Sequence, residues 1–234
     1  MDAIAVGSTH RHVEIPIQDG GLAGDLAVPA HAIGIVIFAH GSGSSRLSPR
    51  NQYVAQMLQR ARLGTLLLDL LTADEEREDD LTGALRFDID LLTKRLTAAI
   101  RWVEGSDELR TLPIGLFGAS TGAAAALAAA AAVDGQHVAA VVSRGGRPDL
   151  AGSRLPQVHA ATLLIVGGYD PTVLALNRDA LARLACEKQL AVVPRATHLF
   201  EEPGTLEEVA RLAQRWFVDH FVPQRTVDTA AAPA

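Results

Sequence analysis

Three side chains of this sequence could together do covalent chemistry: Ser120, Asp170 and His198. A serine hydroxyl is a weak nucleophile near neutral pH and must pass its proton to a base as it attacks. A histidine can take that proton and return it to a leaving group, while a carboxylate fixes the imidazole tautomer and stabilises the imidazolium. Ser120 is the middle residue of Gly118-Ala119-Ser120-Thr121-Gly122. This fits G-x-S-x-G, in which a sharp strand-to-helix turn exposes the serine Oγ. The tetrahedral oxyanion formed by attack needs donors. The backbone N–H of Thr121, at the start of a helix, is one candidate, and that of Ser42, between Gly41 and Gly43 in "HGSGSS", is the other.

Each residue also has an ordinary reading. Ser120 would serve as a helix N-cap, Asp170 before Pro171 is a common turn or cap aspartate, and a loop histidine is usually just exposed. Their conjunction argues against coincidence, because serine, aspartate and histidine fall in that order at the ends of three apolar runs, "LPIGLFG", "ATLLIVGG" and "LAVVP". Around them, His40 is expected to shape the Ser42 loop rather than act as a second base. Arg144 and Arg147 come after a further run; they are either solvated arginines held by nearby acids, or one of them receives a substrate carboxylate bidentately. Tyr169 and Leu199, each beside a member of the trio, are candidates for lining an acyl pocket.

Such residues share one edge if the runs form a parallel sheet, whose sites lie at the carboxyl ends of its strands. Two short alternating stretches come first, 12–17 and 22–29, joined by "QDGG" as a hairpin. Apolar, β-branched runs then alternate with helical patterns, the signature of a sheet covered on both faces. Strands are expected over 33–40, 65–71, 112–118, 138–143, 161–168 and 190–194. Helices are expected over 50–62, 88–104, the alanine tract after Ser120, 173–186 and 205–221. The reading is therefore α/β, a mostly parallel eight-stranded sheet in one domain over 1–234, with a core of about 12–221, no separate cap domain and a frayed tail over 222–234. The acidic stretch 72–87, "TADEEREDDLTGALRF", is read as a solvated loop, with a mobile cover over the site as the sharper alternative.

Composition sets outer bounds. The net charge of −6 and scattered Lys and Arg give no basic footprint for nucleic acid. Cys186 is the single cysteine, so disulfides within the chain and four-thiolate metal sites are out, and its helical context marks it as a packing residue. The N-terminus has no basic segment leading into an apolar one, and no apolar run is long enough to span a bilayer. A cytoplasmic protein acting on a small molecule is the expectation, without nucleic-acid or membrane partners and with a homodimer left open.

The segments "FAHGSGSSRLSPRNQYVAQML", "LLLDLL", "LFGASTGAAAAL", "VVSRGGRPDLA", "LLIVGGYDP" and "ATHLFEEPGTLEEVA" resemble, in order and character, the α/β-hydrolase superfamily and within it the dienelactone hydrolase-like group. The likeness covers roughly 12–221. It implies the α/β-hydrolase fold, with Ser120 as nucleophile, Asp170 as acid and His198 as base, and no metal or organic cofactor. Dienelactone hydrolase itself uses a cysteine nucleophile, whereas this chain has Ser120 at that place. The implied activity is therefore that of a serine esterase on small esters, extending to lactones or thioesters, rather than dienelactone cleavage. A non-catalytic binding protein on the same scaffold is the alternative from another class. A nucleotide-binding α/β protein is disfavoured, since "GASTGAAAA" lacks Gly-Lys-Ser/Thr and "HGSGSS" lacks the full spacing of a dinucleotide fingerprint.

Overall fold

Each expected run becomes a strand of one sheet in the structure, a computed structural model that describes residues 8–18, 20–133 and 137–222. β1 (Thr9–Ile17) and β2 (Gly20–Val28) pair antiparallel as a hairpin. The later strands are β3 (Gly34–Ala39), β4 (Leu63–Leu68), β5 (Ile114–Ala119), β6 (Val138–Arg144), β7 (Ala161–Gly167) and β8 (Lys188–Val193). The spatial order is β1-β2-β4-β3-β5-β6-β7-β8, with β2 antiparallel to β4 and every later pairing parallel. β3, β4 and β5 are buried at every position, as their unbroken apolar runs require of strands covered on both faces.

Side chains alternate between two cores, in keeping with the two-residue period of a strand. Ile35, Ile37, Leu116, Val141 and Leu164 face one side, with α3 (Ile89–Glu104), α4 (Thr121–Ala132) and α5 (Pro171–Arg183) packed over it. Val36, Phe38, Phe117, Val142 and Ile165 face the other, covered by α1 (Pro49–Arg60) and α6 (Thr205–Phe221). Sequence expectation and structure differ at several ends by one to three residues, where the last turns and strand residues obey tertiary contacts rather than local pattern.

The larger difference lies in 72–87. It is not a loop: α2 (Ala73–Thr82) runs through the acidic stretch and leads into a short 3₁₀ turn at Leu85–Phe87. Thr72 accepts the Glu75 N–H at its N-terminus while Glu75 accepts the Thr72 N–H at 2.8 Å. This reciprocal cap, with Asp74, Glu75 and Glu76 at the positive end of the helix dipole, turns the charges into a helix start. Gly83, at φ 66°, ends it. A second 3₁₀ segment, Pro148–Gln157, comes after β6. Among the described residues no helix is long and apolar enough to cross a membrane. Residues 223–234 of the expected tail lie outside those described.

The alanine tract has a packing explanation. Ten consecutive residues of α4, Thr121 to Ala130, are buried, and the helix lies so close to β5 and β3 that larger residues would collide. A Cβ at Gly118 would overlap Ala123 Cα, and one at Gly122 would overlap the Ala39 carbonyl oxygen. Gly122→Ala should therefore cost about 1–3 kcal/mol through overpacking against rigid backbone, lowering Tm by about 2–4 °C per kcal/mol in a chain of this size. Thermal unfolding monitored by circular dichroism checks this; an unchanged Tm would show that the helix can retreat without penalty.

Candidate active site

The site is built from the loops that leave the carboxyl ends of β3, β5, β6, β7 and β8. β5 ends at Ala119, and the chain turns at Ser120 with φ 50° and ψ −120° before α4 begins. That backbone is unfavourable for any residue with a Cβ. It is held from both sides: the Ser120 N–H donates to the Arg144 carbonyl at 3.2 Å, and the Ser120 carbonyl accepts from Arg147 N–H and Ala123 N–H, each at 3.1 Å. The side chain makes no capping bond to α4, so the plain helix-cap reading of Ser120 does not hold.

Asp170 uses both of its carboxylate oxygens. As N-cap of α5, its Oδ1 accepts the Val173 N–H at 3.2 Å, and its Oδ2 receives His198 Nδ1 at 2.7 Å. The carboxylate side chain is largely enclosed and the imidazole about two-fifths exposed. With Nδ1 donating to the aspartate, Nε2 is left as an acceptor, the tautomer a general base needs. The loop that carries His198 is tied down by Tyr169 N–H donating to the Ala196 carbonyl at 2.9 Å and by Thr197 N–H donating to the Glu202 carboxylate at 3.1 Å. The bonds from Thr197 hold the Glu202 carboxyl below its ordinary range. Glu202 has no signal in the sequence beyond its place four residues after His198.

The loops after β3, β6 and β8 converge on the serine. A Cβ at Gly41 would lie 3.1 Å from Ser120 Cβ, and one at Gly145 would lie 3.1 Å from the His198 carbonyl oxygen and 3.6 Å from its Cε1. The Arg144–Arg147 turn thus touches the serine through its backbone and the histidine through Gly145. Ser42 comes directly after Gly41, and Thr121 is the first residue of α4; among the described residues neither N–H is taken by a backbone acceptor.

The remaining candidates separate. His40 is not free to meet a substrate through its ring nitrogens: Nδ1 lies 2.9 Å from the Gly41 carbonyl and Nε2 accepts the Leu70 N–H at 3.1 Å. Its ring holds the 41–45 loop against the chain after β4, as its position suggests, and it lines the cavity beside Ser42. Arg147 is also occupied, its Nε and Nη2 forming a bidentate pair with Asp149 at 2.9 and 2.7 Å. Arg144 is buried and has no such partner among the described residues. Tyr169 and Leu199 are exposed at the rim. Leu47, Leu81 and Phe87 are exposed as well, Leu81 on α2 and Phe87 in the 3₁₀ turn after it.

Beside Ser42 lies a cavity of about 180 Å³, lined by the 40–45 loop, by Asp69–Leu71 and by α2 and the turn after it. That wall carries Glu76, Asp79 and Asp80 together with Arg86, which pairs with the two aspartates. Asp79 anchors it: its carboxylate accepts Leu85 N–H at 2.8 Å, Arg86 N–H at 3.0 Å and Arg86 Nε at 2.5 Å. Burial would raise its pKa, but these bonds from Arg86 and Leu85 outweigh burial and hold it low. The acidic stretch thus lines the cavity as a capped helix. Among the described residues no group of three or more His, Cys, Asp or Glu side chains is arranged to hold a metal ion.

Known proteins share this arrangement of strands and loops. The Dienelactone hydrolase family model matches residues 26–221. A dienelactone hydrolase from Anabaena variabilis superposes with a TM-score of 0.89 at 55% identity, covering 91% of this chain and 98% of that one. Est1E from Butyrivibrio proteoclasticus, 14% identical over 89% of this chain and 98% of its own, shares the fold at a TM-score of 0.74. A Mycobacterium tuberculosis protein named "Putative phosphoribosyl transferase" is 58% identical over 214 residues, which are 90% of this chain and 47% of the relative. The chain therefore spans about half the length of the curated relatives it matches.

Burial lowers the His40 pKa, opposed by its bond to Gly41 and by the charges of Asp69 and Glu76. The unfolded chain then binds more protons than the folded one below the ordinary histidine value, so stability is present above about pH 6.5 and is lost as pH falls from there toward the lowered folded value. Wild-type Tm should drop over that window, and His40→Gln, less stable at pH 8, should show a flatter profile. Parallel profiles for the two proteins would remove this role from His40.

Proposed function

Because the chain belongs to the dienelactone hydrolase family, we propose that it is a serine hydrolase that cleaves carboxylic ester bonds of small substrates, including lactones or thioesters, through an acyl-enzyme on Ser120. The observation that carries this reading is the 2.7 Å His198–Asp170 bond on the same sheet edge as a serine held in a left-handed turn. In the proposed cycle Ser120 Oγ attacks the ester carbonyl while His198 Nε2 takes its proton. The N–H groups of Ser42 and Thr121 receive the oxyanion, and the imidazolium returns the proton to the departing alcohol. A water, deprotonated by the same histidine, then releases the acid. Asp170 holds the ring in the tautomer that both steps need.

The name of the mycobacterial relatives is not carried over, since those proteins are about twice as long as the part matched. The residues at this edge also supply a nucleophile, a base and oxyanion donors, which are what acyl transfer requires. A binding protein on a retired scaffold would have no need to keep all three.

A fluorophosphonate probe should label Ser120 of the folded protein and fail to label Ser120→Ala, read by peptide mass spectrometry. Asp170→Asn, which preserves shape but admits the wrong tautomer, should lower kcat for p-nitrophenyl esters by about 10⁴-fold. An active protein that is never labelled, or an Asp170→Asn variant with wild-type kcat, would contradict the assignment.

A further inference from the structure

Arg144, the last residue of β6, is 8% exposed. By alternation it shares the α1/α6 face of the sheet with Ala140 and Val142. Among the described residues no carboxylate pairs with it, and its Nη1 is enclosed without an acceptor. Burial, together with a second cation, Arg50 in the first turn of α1, lowers its pKa to about 10. It therefore remains charged at neutral pH. Arg50 Nε is likewise enclosed without an acceptor, and its Nη1 reaches Glu201 at 3.3 Å, on a carboxylate that is mostly in solvent. Two guanidinium groups thus influence one another at the N-terminus of α1, where the helix dipole adds further positive potential. Buried charges in folded proteins are ordinarily paired, because desolvation without a counter-ion is costly. Among the described residues the protein supplies none to Arg144.

The position is as informative as the charge. The Arg144 carbonyl receives the Ser120 N–H, and the next residue, Gly145, lies against His198. The backbone that carries Arg144 therefore abuts both residues. In the cavity beside Ser42, Asp79 and Asp80 are already paired with Arg86, whereas no described acid pairs with Arg144. We propose that Arg144 and Arg50 form an oxyanion-binding subsite beside Ser120 that takes a carboxylate or phosphate group carried by the substrate. The proposal rests on Ser120 being the nucleophile only for which ligand is bound, not for whether an anion binds.

Two measurements separate those failures. Calorimetric titration of glutarate and of inorganic phosphate into Ser120→Ala protein reads the subsite without turnover. At least one anion should bind, and Ser120→Ala/Arg144→Met should bind it at least about tenfold more weakly, as expected for losing charge-assisted hydrogen bonds. Whichever of the two binds more tightly identifies the anionic group. In the active protein, Arg144→Met should lower kcat/KM for p-nitrophenyl hemiglutarate at least about tenfold more than it lowers kcat/KM for p-nitrophenyl butyrate. Arg144→Lys, which keeps charge but not the planar fork, should fall between, and Arg50→Gln should show the same selectivity if Arg144→Met does not fold. Neither anion binding the wild-type site, or equal losses for the two esters, overturns the proposal. Anion binding that depends on Arg144 in a protein that hydrolyses no ester would uphold the subsite and refute the esterase reading instead.

Discussion

The backbone of Ser120, at φ 50° and ψ −120°, is the constraint around which the structure is arranged. A non-glycine residue in that conformation costs of order 1–3 kcal/mol, and it persists only where its surroundings over-determine it. Here they do. β5 is buried along its whole length, and α4 is pressed against the sheet at a distance that only Gly118, Gly122 and a run of alanines allow. Backbone bonds from Arg147 and to Arg144 fix the turn from the side of β6. The stretch "GASTGAAAALAAAA" reads as low complexity in isolation, but in the fold it is what lets a helix approach closely enough to force the serine outward.

From this turn the rest of the site is set by adjacency in the sheet. β6 lies next to β5, so its terminal turn contacts the serine backbone; β7 and β8 come next and bring Asp170 and His198 into a 2.7 Å bond. β3, on the other side, ends in His40, whose ring bonds to Gly41 and Leu70 tie the 41–45 loop to the end of β4. Charge is distributed unevenly around the result. Carboxylates of α2 line the cavity on the β4 side, while Arg50 and Arg144 stand beneath the α1 side with, among the described residues, a single exposed acid against them. Tyr169 and Leu199, next in the chain to Asp170 and His198, are exposed.

Much of this is legible in the sequence, and for identifiable reasons. Strands buried on both faces are unbroken apolar runs, so β3, β5 and β7 stand out, and the residues just past a parallel strand lie on the functional edge by topology alone. Residues 72–87 read as a loop because their charge density outweighs a local signal that is present. Thr72 and Glu75 stand three apart, the spacing of a reciprocal cap, and a glycine closes the segment. Arg144 and Arg147 are inseparable in sequence, since both come after the same apolar run. Only the fold reveals that Asp149 reaches Arg147 and that no described acid reaches Arg144. Glu202 is invisible in sequence for a related reason: its carboxylate meets Thr197 N–H only once the loop after β8 has folded back on itself.

The central claim, that Ser120 forms a covalent acyl intermediate with His198 as its base, is tested most directly by rapid-quench mass spectrometry during turnover of p-nitrophenyl acetate. The expected result is a burst of p-nitrophenol matched by an acetyl group on the peptide containing Ser120, absent in Ser120→Ala and strongly slowed in His198→Ala. Turnover with no acetylated peptide, or acetylation of some other residue, would contradict it.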